Sequence, residues 1–404
     1  MEITRKFIEK IPKTDLHLHL DGSLRLETLI ELADDAGIEL PAKTVEGLKK
    51  TVFKDKYNNL GEYLKGFFYT GSVMQTADSL ERISYELALD NINEGVKYIE
   101  VRFAPQLHQN DDLGIIDVLK AVNKGLKKAQ TEFNDRKEIG SGTEPPFEYG
   151  IISCAMRMFD YGFSKYFDDL LNVHKYSDRK WIFSLASQEL VRASVDARDN
   201  HDIPVVGFDL AGMEKGYPAV DHKYAYNLAH KSFLKKTVHA GEAYGPESIF
   251  QAITELHADR IGHGLHLFDA NIIKNDDIID KEDYVNDLAQ YIADRRITIE
   301  VCLTSNMQTN PKYKTLEDHP FRKMKDARLS LTFCTDNRTV SSTTVTDEIF
   351  KAVNTFDISH KDLRDIVVYG FKRSFFPGSY LKKRRYVRRI LNYYDEIEKE
   401  FGLK

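Results

Sequence analysis

Eight short apolar runs, most of them separated by stretches with helical spacing, constrain the fold of this 404-residue chain. The runs lie at roughly 13–20, 96–103, 147–155, 204–210, 235–239, 259–263, 297–303 and 329–335. Several are continuously apolar rather than alternating, which is typical of parallel strands covered on both faces. Eight strands that alternate with helices predict an α/β fold made of one closed (β/α)8 barrel, a TIM barrel.

The segments between the runs predict the rest of the architecture. Apolar residues recur at helical spacing in 78–94, 114–133, 161–175, 184–200, 247–257 and 283–295. Residues 25–75 are too long for a simple crossover, so we expect them to form extra helices over the C-terminal mouth of the barrel. We expect 134–146 to be an exposed loop and the acidic 269–283 to be solvated. The whole chain, 1–404, should form a single domain.

Charge and hydropathy exclude two classes of partner. The net charge is −6, so nothing attracts the chain to nucleic acid or to an anionic membrane. The longest apolar runs are far shorter than the roughly 20 residues that a membrane span needs. Lys382–Arg385 and Arg388–Arg389 are basic, but they precede an apolar helical stripe. We therefore expect these charges to line the solvent face of a terminal helix. The stripe comprises Ile390, Tyr394, Ile397 and Phe401.

Cysteine use and the N-terminus favour a cytoplasmic location. The three cysteines, Cys154, Cys302 and Cys334, have no framework spacing and lie in apolar, strand-like runs. Such cysteines are expected to be reduced and buried. Residues 1–12 lack the apolar core of a secretory signal.

A His-x-His pair in the first run indicates a metal site. His17 and His19 point to the same side of a strand because side chains alternate with period two, and leucines fill the other side. The strand ends near a turn at Asp21-Gly22. Two imidazoles alone do not hold a catalytic metal, so further ligands must come from elsewhere in the chain.

Three later runs also end in residues that bind metals or move protons. They end near His239, with Glu242 three residues later, near His263 and near Asp336. Active sites of (β/α)8 barrels form at the carboxyl ends of the strands, where all these residues would meet. Three imidazoles and one carboxylate suit zinc and leave a position for water. The pKa of such a water falls to about 7, and an adjacent carboxylic acid can then move a proton.

The order of these motifs resembles the adenosine deaminase family over essentially the whole chain. His-x-His-x-Asp-Gly at 17–22 is followed by His-Ala-Gly-Glu at 239–242 and Gly-His-Gly at 262–264. Thr-Ser-Asn at 304–306 and Thr-Asp-Asn at 335–337 complete the order. Zinc-dependent deamination is the activity that this resemblance implies.

The resemblance implies metal and catalytic roles at the matching positions. One zinc ion per chain would be bound by His17, His19, His239 and Asp336. Glu242 would protonate the purine N1 and so make C6 electrophilic. His263 would orient the zinc-bound hydroxide and stabilise the charge that develops during attack.

Three further residues would bind the substrate. Gly212 would hydrogen-bond N3 through its backbone, Asp21 would hold the ribose 5′-hydroxyl, and Asn337 would contact N7. Many animal members carry a second aspartate where this chain has Asn337. A neutral amide can donate to N7 directly, whereas an aspartate must first be protonated. We therefore expect activity to survive with a different substrate affinity.

Other functions compete with this interpretation. A two-metal hydrolase of esters, lactams or phosphotriesters needs a bridging group near the end of strand four, and no lysine precedes Lys215 there. A deaminase of adenine, an adenine thioether nucleoside or N6-methyl-AMP is the nearer alternative. Adenine deaminases of this group tend to have Glu-Gly after the second histidine, so Asp21-Gly22 resembles the members that act on a nucleoside. A catalytically inactive binding protein would not need every catalytic position filled. We expect a cytoplasmic one-zinc enzyme of purine salvage that deaminates adenosine and 2′-deoxyadenosine, releasing ammonia and, from adenosine, inosine.

Overall fold

Eight parallel strands in sequential order form the centre of the molecule, as the sequence predicts. The computed structural model describes residues 3–57 and 60–403. The strands are β1 Lys13–His19, β2 Val96–Phe103, β3 Glu148–Met156, β4 Val205–Ala211, β5 Lys235–Ala240, β6 Arg260–His263, β7 Thr298–Val301 and β8 Ser330–Phe333. Each overlaps its predicted run, and the prediction of a (β/α)8 barrel is confirmed.

In the described part of the chain, the barrel closes through a β-bridge between β1 and the residues after β8. The bridge pairs Leu18 with Asp336. The Asp336 N–H donates to the His17 carbonyl at 2.8 Å, and the His19 N–H donates to the Asp336 carbonyl at 2.8 Å. Closure of the sheet therefore brings the His-x-His pair and Asp336 together through their own backbones.

Helices follow or precede each strand. They are α1 Arg5–Lys10, α2 Leu26–Asp35, α3 Val45–Thr51, α4 Leu60–Ser72, α5 Ala77–Asn93, α6 Ile115–Asn134, α7 Lys137–Ser141, α8 Lys165–Val173, α9 Arg179–Asn200, α10 Lys223–Lys231, α11 Pro246–Thr254, α12 Lys281–Arg295, α13 Leu303–Thr309, α14 Phe321–Asp326, α15 Val345–Thr355, α16 His360–Arg373 and α17 Tyr380–Glu400. Several begin at capping side chains, such as Thr76 before α5 and Ser359 before α16. Within the described ranges, no helix is both long and apolar enough to cross a bilayer.

The segment 25–75 forms the expected extra helices, α2 to α4. The Tyr57 hydroxyl donates to the Val340 carbonyl at 2.8 Å, and the Tyr63 hydroxyl lies 3.0 Å from the Ser341 hydroxyl. Both partners belong to the loop after β8. The extra helices are thus anchored at the carboxyl ends of the strands, over the barrel mouth.

One loop prediction needs correction, and a second is confirmed. Residues 134–146 contain α7, because Ile139 is buried and Gly142, at φ +81°, ends the helical turn. The acidic segment 269–283 is solvated at most positions, as predicted, among them Asp276, Asp277 and Asp280, while Ala270 and Ile273 pack with Val285 in a small apolar cluster. In both cases apolar side chains anchor a polar stretch.

The terminal helix α17 buries its apolar stripe and exposes most of its basic side chains, as predicted. Ile390, Tyr394 and Ile397 are buried, with Tyr386 one turn earlier. Most of the basic side chains face outward. Arg389 instead donates to backbone carbonyl groups of the α7 region, so part of the basic cluster serves packing. The cysteines are free and buried, as predicted.

Candidate active site

The four predicted metal ligands converge at the mouth of the barrel. The ligand atoms of His17, His19, His239 and Asp336 all lie within 4.8 Å of one another. Nε2 of His19 and Nε2 of His239 are 3.1 Å apart, and Asp336 Oδ1 lies 3.4 Å from His17 Nε2 and 3.5 Å from His19 Nε2. Side chains from opposite ends of the sequence thus surround one small volume, since the strand ends meet there.

The donor set of this cluster fits a metal ion. His17 Nε2 is buried and makes no hydrogen bond within the described chain, although its Nδ1 is engaged. Burial holds the pKa of His19 well below its usual value. Burial opposes ionisation of Asp336, but the surrounding imidazoles of His17, His263 and His19 outweigh it and hold the carboxyl pKa well below its usual range. Neutral imidazole and ionised carboxylate are the forms that bind metals.

The backbone is strained where it delivers two of the candidate residues. His263 has φ +66° and Asp336 has φ +60°, a left-handed region that residues with a Cβ rarely adopt. Gly262 has another role, since a Cβ there would lie 2.9 Å from Cε1 of the His17 ring. The end of β6 therefore leaves room for His17 and then turns His263 toward the cluster.

Two buried carboxylates orient the histidine rings by contacting them on the side away from the cluster. Glu300 Oε2 lies 2.8 Å from His17 Nδ1, and Asp209 Oδ1 lies 3.2 Å from His239 Nδ1. Each contact leaves Nε2 of the ring to face the cluster, as carboxylates behind metal-binding histidines do. The sequence patterns assign no role to either residue. One feature of the sequence could have indicated them: each is a charged residue inside an otherwise apolar strand.

Two buried arginines keep these carboxylates ionised. Arg102 donates to Asp209 Oδ2 at 2.8 Å and to Glu300 Oε2 at 2.9 Å. Arg260 donates to Glu300 Oε1 at 2.6 Å and also binds Glu100. Burial alone would raise the pKa of Glu300, but the charges of Arg102 and Arg260 hold it well below its usual value. The metal-type cluster thus lies next to a layer of buried, ion-paired side chains.

Glu242 and His263 lie beside the cluster and face each other. Glu242 Oε2 is 3.8 Å from His263 Nε2, and the His263 and His17 ring centroids are 4.8 Å apart. The Glu214 carboxylate accepts the backbone N–H groups of four consecutive residues, 241 to 244, at 2.7–3.1 Å. The sequence patterns assign no role to Glu214 either, yet it fixes the loop that carries Glu242.

The three predicted substrate-binding residues lie just after the carboxyl ends of β1, β4 and β8. Asp21 lies 3.9 Å from His19 Nδ1, its Oδ1 has no hydrogen-bond partner in the described ranges, and burial raises its pKa to about 6. Gly212 directly follows β4 at φ +100°. Asn337 Nδ2 donates to the Tyr63 hydroxyl at 2.7 Å. This last contact with α4 is not predicted by the sequence, and it engages one of the two amide N–H bonds of Asn337.

A barrel with a His/Asp cluster at its strand ends is the architecture of metal-dependent hydrolases. Comparison with known proteins agrees with this class. A family model described as adenosine deaminase matches residues 12–200 and 181–392. An adenosine deaminase from Vibrio vulnificus is 32% identical over 369 residues, which cover 90% of this chain and 94% of that protein. The chain belongs to the adenosine deaminase family.

Solved structures show the same fold at lower identity. An amidohydrolase from Burkholderia ambifaria, solved with bound zinc, superposes with TM-score 0.76 at 19% identity and covers 100% of this chain and 97% of its own. An adenine deaminase from Arthrobacter aurescens gives TM-score 0.71 at 21% identity, covering 95% and 99%. At these identities the similarity supports the fold alone.

The carboxylate behind His17 yields a testable prediction. Glu300→Gln should weaken metal binding by about 10–100-fold, because an amide orients the His17 ring less strongly than a carboxylate does. A competition titration with a chromophoric chelator measures this affinity on variants whose circular dichroism shows a folded barrel.

Glu100→Gln is the matched control. Glu100 is equally buried and binds Arg260, but no hydrogen bond of the described residues joins it to a candidate ligand. Glu100→Gln should lower the free energy of unfolding while leaving the metal affinity nearly unchanged. Equal losses of affinity in both variants would assign the effect to the buried charge layer as a whole and contradict the orienting role of Glu300.

Proposed function

We propose that this protein hydrolytically deaminates adenosine and 2′-deoxyadenosine, using one zinc ion, and releases ammonia and, from adenosine, inosine. The observation that carries the proposal is the proximity of the carboxylate of Glu242 to the four-residue metal-type cluster in a chain of the adenosine deaminase family. Hydrolysis at C6 needs both a nucleophile and a proton for the ring, and this arrangement offers both.

His17, His19, His239 and Asp336 would hold the zinc ion. When bound, zinc lowers the pKa of a water to about 7 and so supplies a nucleophile at neutral pH. The outer carboxylates Asp209 and Glu300 keep two of the imidazole rings turned toward the ion.

Glu242 would carry the proton of the reaction. Adenine C6 is a poor electrophile, and protonation of N1 makes it reactive. Glu242 reaches over the mouth from the loop after β5, and the four backbone contacts of Glu214 prevent that loop from shifting. Positioned acid–base catalysis of this kind contributes about 10²–10⁴ in rate.

The remaining residues would bind the ends of the nucleoside. Gly212 would offer its backbone to N3, and Asn337 would bind N7 with the amide hydrogen that Tyr63 does not engage. His263, next to Glu242, would contact the attacking water. Asp21, with a buried oxygen that lacks a hydrogen-bond donor in the described ranges, would accept the 5′-hydroxyl of the ribose. Such an oxygen is costly unless a ligand satisfies it.

Purine salvage in the cytoplasm is the setting that we propose for this activity. Three free, buried cysteines suit a reducing compartment. The substrate is a small molecule, and the net charge of −6 offers no attraction to nucleic acid.

A panel of 6-aminopurines tests the proposal. Zinc-loaded protein should deaminate adenosine and 2′-deoxyadenosine far faster than adenine, an adenine thioether nucleoside or N6-methyl-AMP, as followed by ultraviolet absorbance. Activity should vanish on removal of the metal and return with zinc. Turnover of free adenine at the rate of adenosine would identify an adenine deaminase instead, and turnover of none would contradict the function.

Glu242→Gln should separate proton transfer from metal binding. Glutamine is nearly isosteric, so the fold and the zinc content should stay intact, while loss of the proton carrier should lower kcat by at least about 10². Elemental analysis and steady-state kinetics measure the two effects separately. Loss of zinc from this variant would show that Glu242 is a ligand and that the proposed roles are wrong.

Asp21→Ala should test whether Asp21 accepts a hydrogen bond from the ribose 5′-hydroxyl. A charge-assisted hydrogen bond is worth about 1.5–3 kcal/mol, so kcat/KM for adenosine should fall roughly 10- to 150-fold. The value for 5′-deoxyadenosine, which lacks the hydroxyl, should change much less. Equal losses for both substrates would make Asp21 a structural residue.

A further inference from the structure

A chain of three hydrogen bonds runs from a helix N-terminus to the back of the His263 ring. The backbone N–H of Phe321 donates to His319 Nδ1 at 3.1 Å. His319 Nε2 lies 3.2 Å from Asn306 Oδ1, and Asn306 Nδ2 lies 3.0 Å from His263 Nδ1. All three side chains are buried, at 2% exposure or less, so no solvent competes for these contacts.

The direction of this chain is fixed at its start. A backbone N–H can only donate, so His319 Nδ1 must be an acceptor without a proton. A ring whose Nδ1 carries no proton is neutral, and burial agrees with this, since it lowers the pKa of His319 to about 3. A neutral ring with an unprotonated Nδ1 carries its proton on Nε2, and His319 therefore donates to Asn306 Oδ1.

The direction of the hydrogen bond between Asn306 and His263 follows in the same way. With its carbonyl oxygen occupied by His319, Asn306 presents its Nδ2–H₂ group to His263. An amide nitrogen is a donor, so His263 Nδ1 must accept. The proton of a neutral His263 ring is then on Nε2, the atom that faces Glu242 at 3.8 Å.

We propose that Asn306 and His319 are positioning residues that hold His263 as its Nε2–H tautomer. His263 is then a hydrogen-bond donor toward the attacking water and cannot take the proton of that water at Nε2. This inference deepens the proposed function and rests on it for its kinetic consequence. Glu242 becomes the one proton carrier of the step: an O–H bond of the water breaks and its proton passes through Glu242 to N1, while the oxygen bonds to C6 and the π-electron pair of the C6–N1 double bond moves to N1.

The tautomer can be measured directly in the zinc-loaded protein. Nitrogen-15 labelling of histidine and long-range proton–nitrogen correlation spectra distinguish a protonated from an unprotonated ring nitrogen. His263 is assigned by the loss of its signals in His263→Gln. We expect a protonated Nε2 and an unprotonated Nδ1 in the unmutated protein, and the reverse pattern there would overturn the proposal without any further variant.

Asn306→Asp should reverse the direction of the hydrogen bond with His263 with almost no change in side-chain size. A carboxylate accepts from both neighbours, so the His263 proton should move to Nδ1 and leave Nε2 as an acceptor. Loss of a positioned donor at a reacting oxygen costs about 10²–10³ in rate. We expect kcat for adenosine to fall by that factor, with KM changed less than about 3-fold. An unmoved tautomer or an unchanged kcat in a folded variant would contradict the proposal.

The chain offers a matched control one helical turn away. Asn310 Nδ2 lies 3.0 Å from His266 Nε2, so Asn310→Asp adds the same charge beside another histidine outside the relay. It should leave the His263 tautomer and kcat nearly unchanged. An equal loss in Asn310→Asp would assign the effect to added charge and overturn the positioning role.

A conservative variant tests the first link. His319→Gln can accept from the Phe321 N–H with its oxygen and donate to Asn306 with its nitrogen, so it should keep the Nε2–H tautomer and most of kcat. If Asn306→Asp fails to fold, the nitrogen-15 spectra of the unmutated protein still decide the tautomer. Because the spectra need no substrate, they test the tautomer even if no 6-aminopurine is turned over, which would refute the proposed function alone.

Discussion

The site depends on a layer of ion-paired side chains buried inside the barrel. Arg102 and Arg260 face Glu100, Asp209 and Glu300, all of them at most 1% exposed. Removing one member of a buried ion pair leaves the other uncompensated, at a cost of about 3–5 kcal/mol. Loss of any one of these side chains should therefore destabilise the barrel. Because two of its carboxylates also contact His17 and His239, the same charges that stabilise the barrel interior set the orientation of the candidate ligands.

Barrel closure and site assembly are one structural event. The bridge between β1 and the segment after β8 uses the backbones of His17, His19 and Asp336, whose side chains form part of the cluster. Asp336 and His263 both adopt left-handed backbone conformations at this mouth. Strain of this kind persists only where the surrounding structure determines the conformation, and it concentrates at functional sites.

Hydrogen bonds of fixed direction then orient the groups that would perform the chemistry. Four backbone N–H groups converge on Glu214 and hold the loop of Glu242, and a backbone N–H at Phe321 sets the direction of the relay that ends at His263. The Tyr63 hydroxyl joins α4 to Asn337 by another buried hydrogen bond. Backbone donors cannot reverse, so the arrangements that begin at them are determined by the fold and not by the protonation of a neighbour.

The sequence alone determined the barrel and the identity of the converging residues. Strand-length apolar runs and their polar ends are local patterns, and the parallel topology places every strand end at one mouth. That is why the linear order of residues suffices to group His17, His19, His239 and Asp336. The tertiary structure decided what surrounds them: Asp209 and Glu300 behind the rings, Glu214 beneath the Glu242 loop, Asn306 and His319 behind His263, and Tyr63 on Asn337. Most of these contacts join residues far apart in the chain, and a buried polar side chain has no local pattern that names its partner. Only packing of the strands and loops brings each donor to its acceptor.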